Sequence, residues 1–230
     1  MLRDLIKAFR EDSLMNSILN EFSLMMEDAR WMFERLGNSL VSGGHPEEYR
    51  QQIYDRDIRI NKAERSIRKR IIEHLSLNPG KDLGSSLVLF SAAKDAERLG
   101  DYCKNLLEVA ILLHGRSYPE ALSGRIARMH GRISGLFTQA AMAFSQANSE
   151  NAVAIMEEVR TISKECDGMV EEIMNGTDDQ DAKSAVAATL TARFFKRVAG
   201  HISNIASGVV NPVHQIDYYP PDDAAAGRSD

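Results

Sequence analysis

Leu89, Ala92, Ala96, Leu99, Cys103, Leu106, Ala110 and Leu113 alternate in steps of three and four residues. That spacing lines side chains along one face of a packed helix. The same alternation recurs along the chain. Met15, Ile18, Phe22, Met25, Ala29, Met32 and Leu36 carry it first, then Ile53, Ile60, Ile67 and Ile71. Leu122, Ile126, Met129, Ile133, Leu136, Ala140, Ala143 and Ala147 repeat it, as do Ala152, Ile155, Val159, Ile162, Cys166, Met169 and Ile173. Helix-stopping residues fall between the seams: Ser42-Gly43-Gly44, Asn78-Pro79-Gly80, Gly115, Asn148-Ser149, Asn175-Gly176 and Pro212. The spacing therefore predicts an all-α chain of six long helices. They run over about 13–41, from Pro46 to the Asn78 turn, over about 82–114, and in three further segments ending near Val210. Asp12 or Ser13 can cap the first. Ser117-x-x-Glu120 and Thr177-x-x-Gln180 read as capping boxes for the fourth and sixth.

Six helices joined at Gly115–Pro119 divide into two tandem antiparallel three-helix bundles, residues 1–115 and 116–213. Residues 214–230, with Pro220-Pro221, three alanines and charges, read as a disordered tail. Leu2, Leu5, Ile6 and Phe9 suggest a lead-in helix that packs back on its own domain, or else touches a membrane surface or partner.

Composition narrows the function classes. The net charge of −5 does not suit a nucleic-acid polycation. No run of eighteen apolar residues is present to span a bilayer, and the opening MLRDLIKAFRED does not read as a secretory signal. Cys103 and Cys166 both lie on seams, as small buried thiols of a reducing compartment do. No Gly-rich nucleotide fingerprint, phosphate loop or nucleophile–base pair occurs, so the chain does not read as an enzyme.

Four polar features stand against this apolar frame. Beside the third seam runs a stripe of Glu97, Asp101, Asn105 and Glu108. Residues four apart stack on one face, so Glu97 and Asp101 bring two carboxylates to one point, where they repel unless compensated. The pair reads as a solvated acidic edge with Arg98 and Lys104, or as half a metal site or a docking patch. In the second helix, Asp57 and Glu64 occupy seam positions, where a carboxylate is costly unless paired or ligated. A small rotation placing both at the rim beside Arg56, Arg68 or Lys62 is the other reading. Arg65–Arg70 is locally basic, a solvated face or a contact for phosphate or an acidic partner. His130 lies just off its seam and reads as a surface histidine.

The third and sixth helices also share a pattern. The stretch 97–106 reads ERLGDYCKNL and 196–205 reads KRVAGHISNI, so Arg98 aligns with Arg197, Leu99 with Val198, Asn105 with Asn204 and Leu106 with Ile205. These segments resemble the PhoU family, whose third-helix motif E-R-[IL]-[GA]-D-H-x-x-N-[IL]-[AL]-E occurs once in each of two three-helix repeats. The stretch 57–61, DIRIN, resembles the family's second-helix D-x-x-I-N element.

The resemblance implies regulation: a cytoplasmic adaptor, peripheral to the inner face of the membrane, that restrains phosphate uptake or phosphate-responsive signalling. Its implied partners are a membrane phosphate transporter or its sensor kinase, with a homodimer as the common assembly, to which the methionine-rich first helix could supply a contact; nucleic acid is not among them. Some family members hold metal clusters on these motifs, which by position implies metal ligands Glu97, Asp101 and Asp57 and one divalent or iron site per chain. The second copy departs from the pattern. Lys196, Gly200 and Ser207 replace its acids, and only His201 and Asn204 keep it. Tyr102 replaces the histidine of the first copy. A helical scaffold without metal or phosphate role is the alternative. A di-iron metalloenzyme is disfavoured, because no Glu-x-x-His pair lies on the third or sixth helix.

Overall fold

The computed structural model describes residues 13–113, 115–116, 118–176 and 181–217. Six long helices account for most of them: α1 (Ser13–Ser42), α2 (Arg50–Leu77), α3 (Leu83–Leu112), α4 (Glu120–Gln146), α5 (Ser149–Met174) and α6 (Ala182–Val210). The fold is all-α, as the seams predict. The lead-in at 1–11, Asp12, both capping-box threonine and serine positions and residues 218–230 lie outside the described residues. Pro46 does not open α2 directly. It begins a 3-10 turn, Pro46–Tyr49, that feeds into the helix. The sixth helix is capped by Asp181, whose carboxylate accepts from the Ser184 backbone N–H, and the fifth by the Asn148 side chain.

Short connections make consecutive helices antiparallel neighbours, α1–α2–α3 and then α4–α5–α6. The halves do not keep separate cores. α1 packs on α4 and α3 packs on α6, so one apolar cluster runs through both repeats. Phe33 of α1 stands at its centre, with Phe137 of α4 at 5.5 Å and Phe195 of α6 at 5.4 Å between ring centroids. Each such fully buried ring contributes roughly 2–3 kcal/mol. Small residues let α3 and α6 approach: a Cβ added to Gly208 would lie 2.9 Å from Val88 Cγ1.

The turn between α1 and α2 meets the joint between the repeats. Gly43 and Gly115 both adopt positive φ, and a Cβ on Gly43 would sit 2.4 Å from the Gly115 carbonyl oxygen. Past α6 the chain does not leave the surface at His214. Val213–Gln215 forms a 3-10 turn, and the Asp217 backbone N–H donates to Ser207 Oγ at 3.1 Å.

Two side-chain expectations change. Met15, Met25, Met26 and Met32 of α1 are buried in the chain's own core, so they offer no surface to a second copy. His130 is not a free surface histidine. Its ring stacks on Phe33 at 4.6 Å, and its Nε2 hydrogen-bonds the Phe33 carbonyl at 3.0 Å. Gly37 makes room for it, since a Cβ there would fall 2.2 Å from the imidazole.

Candidate functional site

The acidic residues singled out by spacing do converge, on one face between α2 and α3. Asp57 projects from the α2 seam and is 6% exposed. Gly100 of α3 lies opposite it. A Cβ at that position would come within 3.3 Å of both Asp57 Oδ1 and Ile60 Cδ1, so a small residue there sets how closely the helices approach. Asn61 of the same element does not enter the site; its amide donates back to the Asp57 carbonyl at 2.9 Å.

Lys104 closes the cluster. Its Nζ lies 2.9 Å from Asp57 Oδ2 and 2.9 Å from Asp101 Oδ1, bridging α2 and α3. Arg98 lies 3.0 Å from the other oxygen of Asp101 and 3.6 Å from Glu97. Glu64 sits beside Arg68 at 2.7 Å, and the Arg68 guanidinium covers the Phe90 ring. Burial works against the Lys104 ammonium, yet the hydrogen bonds it donates to Asp57 and Asp101 and the charges of those carboxylates outweigh it and raise its pKa. Glu97 is pushed up by burial and by Asp101, against the pull of Arg98, with smaller pushes from Glu64 and Asp57. Neither expectation for the seam acids holds for both. Glu64 pairs along its own helix with Arg68, while Asp57 stays buried and takes its cation from α3.

This arrangement does not fit a metal ion. The point between Asp57 and Asp101 is held by an ammonium, and Arg98 takes the remaining oxygen of Asp101. Among the described residues no group of three or more His, Cys, Asp or Glu side chains is arranged to hold a metal. One oxygen is left over: Asp57 Oδ1 is buried without a hydrogen-bond partner.

The second motif builds a different environment. Lys196 pairs with Asp167 of α5. His201 Nδ1 donates to Asp95 Oδ1 at 2.7 Å, and the Asn204 amide donates to the same oxygen at 3.1 Å. Tyr102 of the first motif stacks on His201 with centroids 5.5 Å apart. The two motifs therefore meet where α3 packs on α6, through a carboxylate that the motif comparison passes over. Asp95 is 1% exposed and sits beside the seam residue Ala96. An acid flanked by Ala92, Ala93 and Ala96 is the signal that marks it, because small residues on both sides admit a second helix. Asp217 lies close by, 3.8 Å from Lys94. Burial raises its carboxyl, Asp95 adds to the rise, and Lys94 and His201 oppose it.

The basic run of α2 is mostly engaged within the chain. Arg68 serves Glu64, Lys69 reaches Glu73 at 3.7 Å, and Arg70 reaches Glu21 at 3.0 Å. Cys103 and Cys166 are free and buried, as their seam positions predict. Burial raises both thiols, Cys166 to about 12.

Comparison with known proteins gives a consistent result. A family model described as "PhoU domain" matches twice, over residues 22–110 and 126–209. No curated protein sequence matches the chain. Among solved structures, PhoU from Pseudomonas aeruginosa superposes with a TM-score of 0.77 at 18% identity, over 86% of this chain and 96% of that one. The phosphate transport system regulatory protein PhoU from Streptococcus pneumoniae gives a TM-score of 0.73 at 20% identity, over 90% of this chain and 95% of that one. At these identities the superpositions establish the fold, and the double domain match establishes the repeat.

Proposed function

This chain belongs to the PhoU family, and on that footing we propose that it is a non-catalytic regulator of phosphate transport. It acts on the cytoplasmic side by binding a membrane phosphate transporter or the sensor kinase associated with it. The observation that carries this reading is the paired domain match, which spans both repeats rather than one. The match is supported by a solved relative that is itself a phosphate transport system regulatory protein. No helix among the described residues is long and apolar enough to cross a membrane, so contact with a transporter would be made from the surface.

The face we assign to that contact is the open cleft of about 440 Å³ along α3, lined by Tyr54, Arg98, Asp101, Asn105 and Glu108. It presents charges of both signs, fixed by Lys104 beneath, and would select a partner segment by complementarity rather than by apolar burial. We assign no metal cofactor to it, because Lys104 already supplies the cation. If the protein forms a homodimer, the contact uses a surface other than the α1 methionines.

The test is phosphate uptake by the native strain with the gene deleted, in phosphate-replete medium. Uptake, or output of a phosphate-responsive reporter, should rise and return to normal when the gene is restored. Unchanged uptake and reporter output would refute the proposal.

A further inference from the structure

The loss of acids from the second motif leaves a cationic cleft in which two arginines have no carboxylate partner among the described residues. In the first motif, Arg98 is occupied by Asp101 and Glu97. Its counterpart Arg197 has lost both partners, because Lys196 and Gly200 stand at the equivalent positions. Arg193 lies one turn earlier on the same face of α6. Both arginines are exposed, and neither has a carboxylate within ion-pair distance among the described residues. With Lys196, His201 and Ser163 they line a cleft of about 350 Å³ between α5 and α6.

Gly200 forms the floor of this cleft. A Cβ added there would meet nothing within 4 Å, so the space that an acid fills in the first motif stands open. The polar groups around that space are mainly donors: two guanidiniums, the Lys196 ammonium and a serine hydroxyl. His201, at the edge of the cleft, is held by Asp95, to which its Nδ1 donates. The acids nearby are already engaged, Asp167 by Lys196 and Asp95 by His201 and Asn204.

We propose that this cleft binds a phosphoryl anion larger than inorganic phosphate, a pyrophosphate or polyphosphate group, through Arg193 and Arg197 above Gly200. Guanidiniums pair with phosphoryl oxygens in bidentate fashion, and unpaired arginines need lose no partner to do so. The volume is that of a small-molecule site and exceeds what one phosphate fills. The proposal stands apart from the docking face on α3, so either can fail alone.

The experiment is isothermal titration of the full chain with tripolyphosphate, pyrophosphate and inorganic phosphate at 0.15 M NaCl. One site per chain is expected, with tripolyphosphate the tightest. Gly200→Asp puts a carboxylate on the floor of the cleft without a clash and should weaken binding at least tenfold. Gly200→Ala, which adds only a methyl, should bind within about twofold of the wild type, a helix interior favouring Ala over Gly. Arg197→Ala should weaken binding at least fivefold, and circular dichroism would show each variant folded. No saturable binding, equal affinity for phosphate and tripolyphosphate, or an unchanged affinity in Gly200→Asp would overturn the proposal.

Discussion

Replacing Lys104 with methionine tests the physical account of the acidic cluster. Methionine keeps the apolar stem and removes the ammonium that bridges Asp57 and Asp101 at 2.9 Å each. The side chain of Asp57 is 9% exposed and that of Lys104 is 24% exposed. Asp57 would then be left buried with neither oxygen compensated, because Oδ1 already has no partner. Stranding one member of a buried pair costs about 3–5 kcal/mol. Partial access to water at Lys104 brings the expected loss to about 2–3 kcal/mol, a fall in Tm of about 5–10 °C for a chain of this size. Asp57→Asn alone should cost less, since Lys104 keeps Asp101. Adding Asp57→Asn to Lys104→Met should recover at least half of the loss, because the stranded charge is gone. Urea denaturation of the four proteins at pH 7 gives the cycle. A loss below about 0.5 kcal/mol for Lys104→Met, or strict additivity in the double variant, would refute the bridging role.

Three further outcomes follow from the core. Burial lowers the His130 pKa below its ordinary value of 6.5, against the hydrogen bond to Phe33 and the charge of Glu34. The unfolded chain therefore takes up a proton first, and stability should fall as pH drops below about 6.5 towards the folded-state pKa. His130→Gln should flatten that part of a Tm-against-pH curve. Gly37→Ala drives a methyl into the imidazole and should cost about 1–3 kcal/mol in urea denaturation despite the better helix propensity of alanine. Combining it with His130→Ala should remove most of the added steric cost. Both thiols should be inert to a disulfide reagent at pH 8 in the native protein and react fully in denaturant, since burial raises Cys103 and Cys166 alike.

What the sequence displays well is the local period. Six seams are legible because each repeats every three or four residues. Asp57 and Glu64 stand out because they interrupt a row of isoleucines. What it hides are pairings across helices. Lys104 lies off its seam and meets Asp57 from 47 positions away, so no local pattern ties them. Asp95 and His130 were obscured for a shared reason. A single seam presumes a helix buried on one side, whereas α1, α3, α4 and α6 pack within their own repeat and against the other. The buried arc of those helices is therefore wider than the seam, and residues one step off it, such as Asp95 and His130, become interior. The same sharing of one core explains why two tandem bundles, clear as a repeat, do not have separate interiors.

That Lys104 holds the place of a cation in the first repeat is checked by the metal content of the full chain purified without chelator. After incubation with iron, manganese or zinc and gel filtration, elemental analysis should find far less than one ion per chain. One or more ions per chain, lost together in Asp57→Asn and Asp101→Asn, would contradict it.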